Sequence, residues 1–234
     1  MTDAFETSWP STGNGWKMSG RQIRTVARYG RCASDQNLRN AAAWMLERAA
    51  PHVLAHSQLR TRAFALHGFV DAALADEPYA DAEANARNCA DALMRAFERH
   101  RGPGWQWFEN SLTYANATLP HALLAAADLC DDRQRSVDYR EAGKRSLDFL
   151  IDLYFENGHL DLIGQNGWHA RGGMRARFDQ QAIDAQCMVE ALLYAHRALR
   201  EPRYKLLARA ALEWFYGYNV NRTLMYNSQT GGCY

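Results

Sequence analysis

Two stretches of this sequence gather the residue types that do chemistry on hydroxyl-rich molecules. The first is Trp105-Gln106-Trp107-Phe108-Glu109-Asn110-Ser111-Leu112-Thr113-Tyr114-Ala115-Asn116, in which aromatic residues flank one carboxylate. Sugars bind through aromatic faces together with polar side chains, and a pair of carboxylates flanking a glycosidic bond supplies the acid and base of hydrolysis. Glu109, between Phe108 and Asn110, is the candidate general acid, because an apolar wall raises a carboxyl pKa toward the working range. Trp105 and Trp107 are the candidate sugar platform, with Tyr114 and Asn116 reaching hydroxyls. The competing reading makes the aromatics packing anchors and has Glu109 cap the next helix or pair with an arginine.

The second stretch runs from Gly164 to Asp184 and contains Trp168, His169, Asp179, Gln180 and Gln181. Its glycines permit tight turns, and amides and carboxylates gather where an apolar helix begins. Asp179 is the candidate base or water-orienting group. Trp168 extends the platform, while His169, Gln180, Gln181 and Asp184 contact the ligand. Asp179 also suits a helix N-cap, but one cap does not account for two glutamines and a second aspartate beside it.

Elsewhere the chemical signal is thin. His67 and His121 lie in apolar helical segments and read first as packing histidines. No HExxH and no carboxylate triplet points to a metal, and no cofactor is indicated. Gly13-Asn14-Gly15 and Gly172-Gly173 lack the strand and lysine of a phosphate loop, and there is no GxSxG elbow. Cys32, Cys89, Cys130, Cys187 and Cys233 show no CxxC spacing, and an odd count suits no disulfide framework. A formal net charge of +1 on 234 residues exerts no long-range pull on polyanions, so neither nucleic acid nor a membrane surface is expected as partner. With no signal-like start and no long apolar run, a cytoplasmic protein is expected.

The elements that must position these stretches are helical. Apolar residues recurring every three or four positions predict helices over about 19–32, 36–56, 60–75, 81–100, 116–130, 135–155, 181–199 and 203–217. Residues 1–18 read as an irregular leader and 19–234 as one domain of antiparallel helical hairpins. Weak alternation at 159–163 and 174–178 predicts a small β-hairpin between two helices. The segments 60–75, 116–130 and 181–199 are apolar around most of their circumference, whereas 81–100, 135–155 and 203–217 carry a charged stripe. Inner helices backed by an outer layer satisfy both, the logic of an (α/α) toroid or solenoid. Six hairpins would need about twelve helices, so with roughly eight the ring is expected to be incomplete.

Taken together, WQWFENSLTYANATLPHALL, FDQQAIDA, ALEWFYGYN and the terminal TGGCY resemble the helical domain that accompanies bacterial family-four-type glycosyltransferases, a six-hairpin (α/α)6-glycosidase-like fold. The resemblance covers about residues 19–234. It carries over Trp107, Phe108, Glu109, Tyr114, Asn116, Pro120, Phe178, Asp179, Gln180, Gln181, Trp214, Phe215 and Gly231-Gly232-Cys233. It departs where the family has Asp-Asp-Asn-Ala-Arg in earlier hairpins, an acidic pair ahead of Gly20-Arg21, where Trp16 and Lys17 stand, and an aspartate at Ala115. The resemblance therefore implies a domain shortened at its N-terminus, with relatives continuing past TGGCY. It implies carbohydrate handling more directly than hydrolysis. Three functions follow as expectations: a glycoside hydrolase using Glu109 and Asp179; a non-catalytic carbohydrate-binding or scaffold module, its exposed inner helices meeting a glycosyltransferase or a second copy; and a sugar epimerase or isomerase built on His67, His121 or His169.

Overall fold

A computed structural model describes residues 18–234. The expected leader, with Trp16 and Lys17, lies outside the described residues apart from Met18, which is buried. Eight helices occur among the described residues: α1 Gly20–Cys32, α2 Gln36–Ala55, α3 Leu59–Ala73, α4 Ala82–His100, α5 Thr118–Leu129, α6 Arg133–Tyr154, α7 Ala182–Leu199 and α8 Pro202–Glu213. The fold is all-α, and no described helix is long and apolar enough to cross a membrane.

Local chemistry sets the helix ends. A capping box starts α1, where Ser19 Oγ accepts from Gln22 N at 3.3 Å and Gln22 Oε1 accepts from Ser19 N at 2.7 Å. Asp35 and Asp132 cap α2 and α6 by accepting from Asn37 N and Arg135 N. Pro202 opens α8, where the missing N–H has no helical partner to lose. The turns after α1, α5 and α7 are short, so α1/α2, α5/α6 and α7/α8 fold back as antiparallel hairpins. The pair α3/α4 does the same through residues 74–81.

Packing separates the helices into two layers. The helices α1, α3, α5 and α7 lie side by side in that order, and each is backed by its hairpin partner. In α5 every residue from Thr118 to Ala127 is buried, including Leu119, Leu123 and Leu124, which are fully covered. Each such leucine contributes about 1.5–3 kcal/mol of apolar burial, so this helix is held by its surroundings on all sides. Two glycines bring α1 against α3. A Cβ at Gly68 would lie 2.8 Å from Ile23 Cγ2 and 2.9 Å from Arg24 N, and one at Gly20 would meet Thr61 O at 2.1 Å. Across the layer, Arg24 of α1 and Glu190 of α7 form an ion pair at 2.8 Å.

Because each hairpin turns tightly at one end, the long connections 101–117 and 155–181 fall together at the other, beside the first turns of the inner helices. The β-hairpin expected within 159–163 and 174–178 does not form. The sheet is instead a pair of short strands, β1 Ser111–Leu112 and β2 His169–Ala170, antiparallel with Ser111 opposite Ala170 and Leu112 opposite His169. Residues 160–163 are buried rather than alternating. The returning segment crosses at Gly164, where Gly164 N donates to Ala176 O at 2.8 Å and no room exists for a side chain: a Cβ would meet Phe178 O at 1.8 Å. The β1/β2 pair therefore stitches the two chemically rich stretches to each other.

Candidate functional site

A cavity of about 480 Å³ opens where these loops meet the inner helices, lined by Arg21, Tyr114, Gln165, Trp168, Gln181 and Ile183. Arg21 comes from the first turn of α1, Tyr114 from the chain entering α5, and Gln181 and Ile183 from the start of α7. Trp168 and Gln165 come from the loop behind β2. Trp168 holds a left-handed backbone, φ +55°, between Gly167 and β2, which turns its side chain out of the run of the strand. Gln181 Nε2 donates to Gln165 Oε1 across the cavity wall. Whichever way these two amides are turned, the pair keeps an NH2 group with hydrogen-bonding capacity to spare.

Beneath this lining is an arginine-centred knot. Arg60, in the first turn of α3 and 8 % exposed, donates from Nε to Tyr114 O at 2.5 Å, from Nη1 to Glu109 Oε2 at 2.6 Å and from Nη2 to Asn116 Oδ1 at 2.8 Å. Asn116 Nδ2 donates to Thr113 O at 2.7 Å and to the Tyr154 hydroxyl at 3.0 Å. One guanidinium thus fixes the backbone before α5, the carboxylate of Glu109 and the amide of Asn116.

Asp184 lies one residue beyond Ile183 in the first turn of α7, 3 % exposed, and neither carboxylate oxygen has a hydrogen-bond partner. Burial raises its pKa to about 7, and it does so against the opposing pull of the Ala115 and Asn116 N–H groups, then Arg60 and Arg21. Those N–H groups face the carboxylate but stop short of hydrogen-bond geometry. Ala115 presents them from a left-handed backbone, φ +48°, that a residue with a Cβ rarely adopts. Tyr154 stands nearby, its pKa pushed up by burial and then by the charge on Asp184.

The expected site residues divide between this cavity and the core. Tyr114, Trp168 and Gln181 line the cavity, and Asp184 is buried next in sequence to the lining Ile183. Trp105 and Trp107 are core residues, 4 % and 0 % exposed, their rings set against Phe149 and Phe108, so their faces are not open to a ligand. Asn116 is buried with its amide fully engaged in the Arg60 knot. Gln180 is likewise spent: its Nε2 donates to Asp161 Oδ1 at 2.9 Å and its Oε1 accepts from Trp214 Nε1 at 3.2 Å. Glu109 is half-buried and paired with Arg60. His169 sits on β2 with a buried Nδ1 that lacks a partner, its ring 5.6 Å from that of Trp105. Asp179 is exposed and does not cap α7, whose N-cap position is Gln181; it holds a left-handed φ of +61° and accepts at its carbonyl from Gln165 N at 3.1 Å.

Sequence reasoning missed Arg60, Gln165 and the use of Arg21. Arginines are common in helices, and only the packed structure shows which one turns inward. The Gly20-Arg21 pair was the one available signal.

His67 and His121 are packed inside the inner layer, ring centroids 4.1 Å apart, and His121 lies 4.9 Å from Tyr194. Burial, then the charge of Arg24, holds His67 down at about 3, and burial, then the adjoining His67 ring and the charges of Arg24 and Arg197, takes His121 well below the usual range. No group of three or more potential metal ligands occurs among the described residues. The five cysteines are all unpaired, Cys89 and Cys187 being buried.

No model of a known protein family matches this chain, and no curated protein is significantly similar to it.

Proposed function

We propose that this chain is a carbohydrate-active helical domain, a glycoside hydrolase whose general acid is Asp184. The observation that carries this reading is a buried carboxyl group with both oxygens unpartnered and a pKa near 7, adjacent in sequence to Ile183 of a cavity lined by an indole, a phenol and two amides. Leaving a buried polar group unpaired costs about 1–3 kcal/mol, a cost that functional groups commonly carry. A carboxyl protonated near neutral pH can give its proton to a leaving glycosidic oxygen, while Trp168 stacks on the sugar ring and Gln165 and Gln181 reach its hydroxyls. Asp179, exposed on the loop behind the cavity, is our candidate for the second carboxylate. Glu109 then serves to orient Arg60 instead of acting on the bond.

The unpaired cysteines suit a reducing compartment, and we place the activity in the cytoplasm. A second reading, a non-catalytic sugar-binding module beside a glycosyltransferase, is favoured by the Arg60–Glu109 pair, which takes one of the two expected catalytic carboxylates out of play. The epimerase reading has less support, since no histidine lines the cavity.

Reducing-end release from an oligosaccharide panel separates the readings when wild type is compared with Asp184→Asn and Glu109→Gln. The hydrolase reading requires turnover that Asp184→Asn abolishes while binding persists, with wild-type rate falling above pH 7 as the acid loses its proton. Binding with no turnover in all three proteins selects the non-catalytic module.

A further inference from the structure

We propose that the cavity is selective for an acidic sugar, a uronate whose carboxylate is held by Arg21. This inference rests on the carbohydrate reading above and specifies its substrate class. Among the six lining residues one carries a charge, and it is a cation. Arg21 makes no ion pair among the described residues. Its guanidinium is held instead by aromatic faces, 4.9 Å above Phe64 and 6.0 Å from Tyr114. By contrast, Arg24, one turn further along α1, and Arg60, in the first turn of α3, are each matched to a carboxylate. A planar, weakly hydrated cation set on rings keeps its fork of donors for a planar anion, and carboxylate matches that fork with two parallel hydrogen bonds.

The surroundings favour the same ligand. The spare NH2 of the Gln165–Gln181 pair adds donors to the wall, and the first turns of α1 and α7 direct their positive ends toward this side. Asp184, next in sequence to the lining Ile183, is buried and held largely protonated below pH 7, so it repels an incoming carboxylate weakly. Trp168 and Tyr114 supply faces for the apolar side of a pyranose ring. A neutral sugar would use the rings and amides but leave the guanidinium unanswered.

The test is calorimetric titration of the full chain with matched pairs of oligosaccharides: tetramers of galacturonate, glucuronate and mannuronate, each beside its carboxyl-reduced neutral counterpart. At least one acidic member should bind about 10- to 100-fold more tightly than its neutral partner, the range of a charge-assisted bidentate contact. Arg21→Gln should remove that difference while leaving neutral binding in place, and Arg21→Lys should keep part of it. Because Arg21 is exposed, both variants are expected to melt as wild type does. Equal affinity within every pair, or a preference that survives Arg21→Gln, overturns the acidic-sugar inference and leaves the carbohydrate reading standing. If no oligosaccharide binds, or Trp168→Ala changes no affinity, the carbohydrate reading falls and this inference with it.

Discussion

Glu109 Oε2 lies 2.6 Å from Nη1 of Arg60, and the other two nitrogens of that guanidinium hold Tyr114 O and Asn116 Oδ1. The carboxylate that looked catalytic is thereby part of the frame that fixes the entry to α5. Arg60→Ala strands Asn116 and a carbonyl in a buried setting, and removing one partner of such a network costs about 3–5 kcal/mol. Urea denaturation should show a loss of that order, with Glu109→Gln losing distinctly less because its side chain is one-third exposed. Equal losses would show that Arg60 is not the centre of the network.

Asp184 makes stability depend on pH in a definite direction. Its folded pKa of about 7 lies above the value of 3.8 it has when unfolded, so the folded chain holds an extra proton between these limits. The stability this contributes is complete below about pH 3.8 and is lost as pH rises through 7. Asp184→Asn removes the ionisation, so its melting temperature should gain on wild type between pH 5 and pH 8.5. A constant difference across that range would mean that the group titrates normally.

The buried histidines act in the opposite sense. His67 titrates near 3 when folded and at 6.5 when unfolded, so its contribution is present above pH 6.5 and is lost as pH falls toward 3. Each such group takes up to about 1.4 kcal/mol per pH unit within its window. Two rings outweigh Asp184 between pH 6.5 and 4, so stability should fall on acidification there. In urea denaturation, His67→Leu should flatten that slope, gaining on wild type at pH 4.5 relative to pH 7.5.

Asp179 offers a trade of stability for activity. A left-handed φ of +61° at an exposed aspartate is a conformation that glycine adopts without strain. Asp179→Gly should leave thermal stability unchanged or raise it by up to about 1 kcal/mol. If Asp179 is the second carboxylate, the same change eliminates turnover. Retained turnover would assign the residue to loop geometry alone.

Much of this architecture was legible from periodicity. The predicted helices fall within a few residues of the observed ones, and the apolar circumferences of 60–75, 116–130 and 181–199 marked the three segments that became α3, α5 and α7. Pattern reports which face of a helix is apolar, and burial follows from that. The two loops were also identifiable as the chemically dense parts of the chain. Their inner arrangement was not. An aromatic residue has the same identity whether it stacks on a sugar or on Phe149, so Trp105, Trp107 and Trp168 looked alike until packing buried two of them. Likewise, whether Glu109 or Asp184 keeps its carboxyl unpartnered depends on where Arg60 reaches, a contact from 49 residues away in the chain for Glu109. The weak alternation at 159–163 and 174–178 failed because Gly164 lets the two backbones cross where a side chain would collide.

Two strands of two residues each join the loop before α5 to the loop before α7. Neither wall of the cleft can therefore be altered as an independent part. A designer who wished to retarget this scaffold would have to transplant both loops as one cassette, with Ser111 and Ala170 kept in register. The helices beneath, buried by their own hairpin partners, would tolerate such an exchange much as a chassis accepts a new tool head.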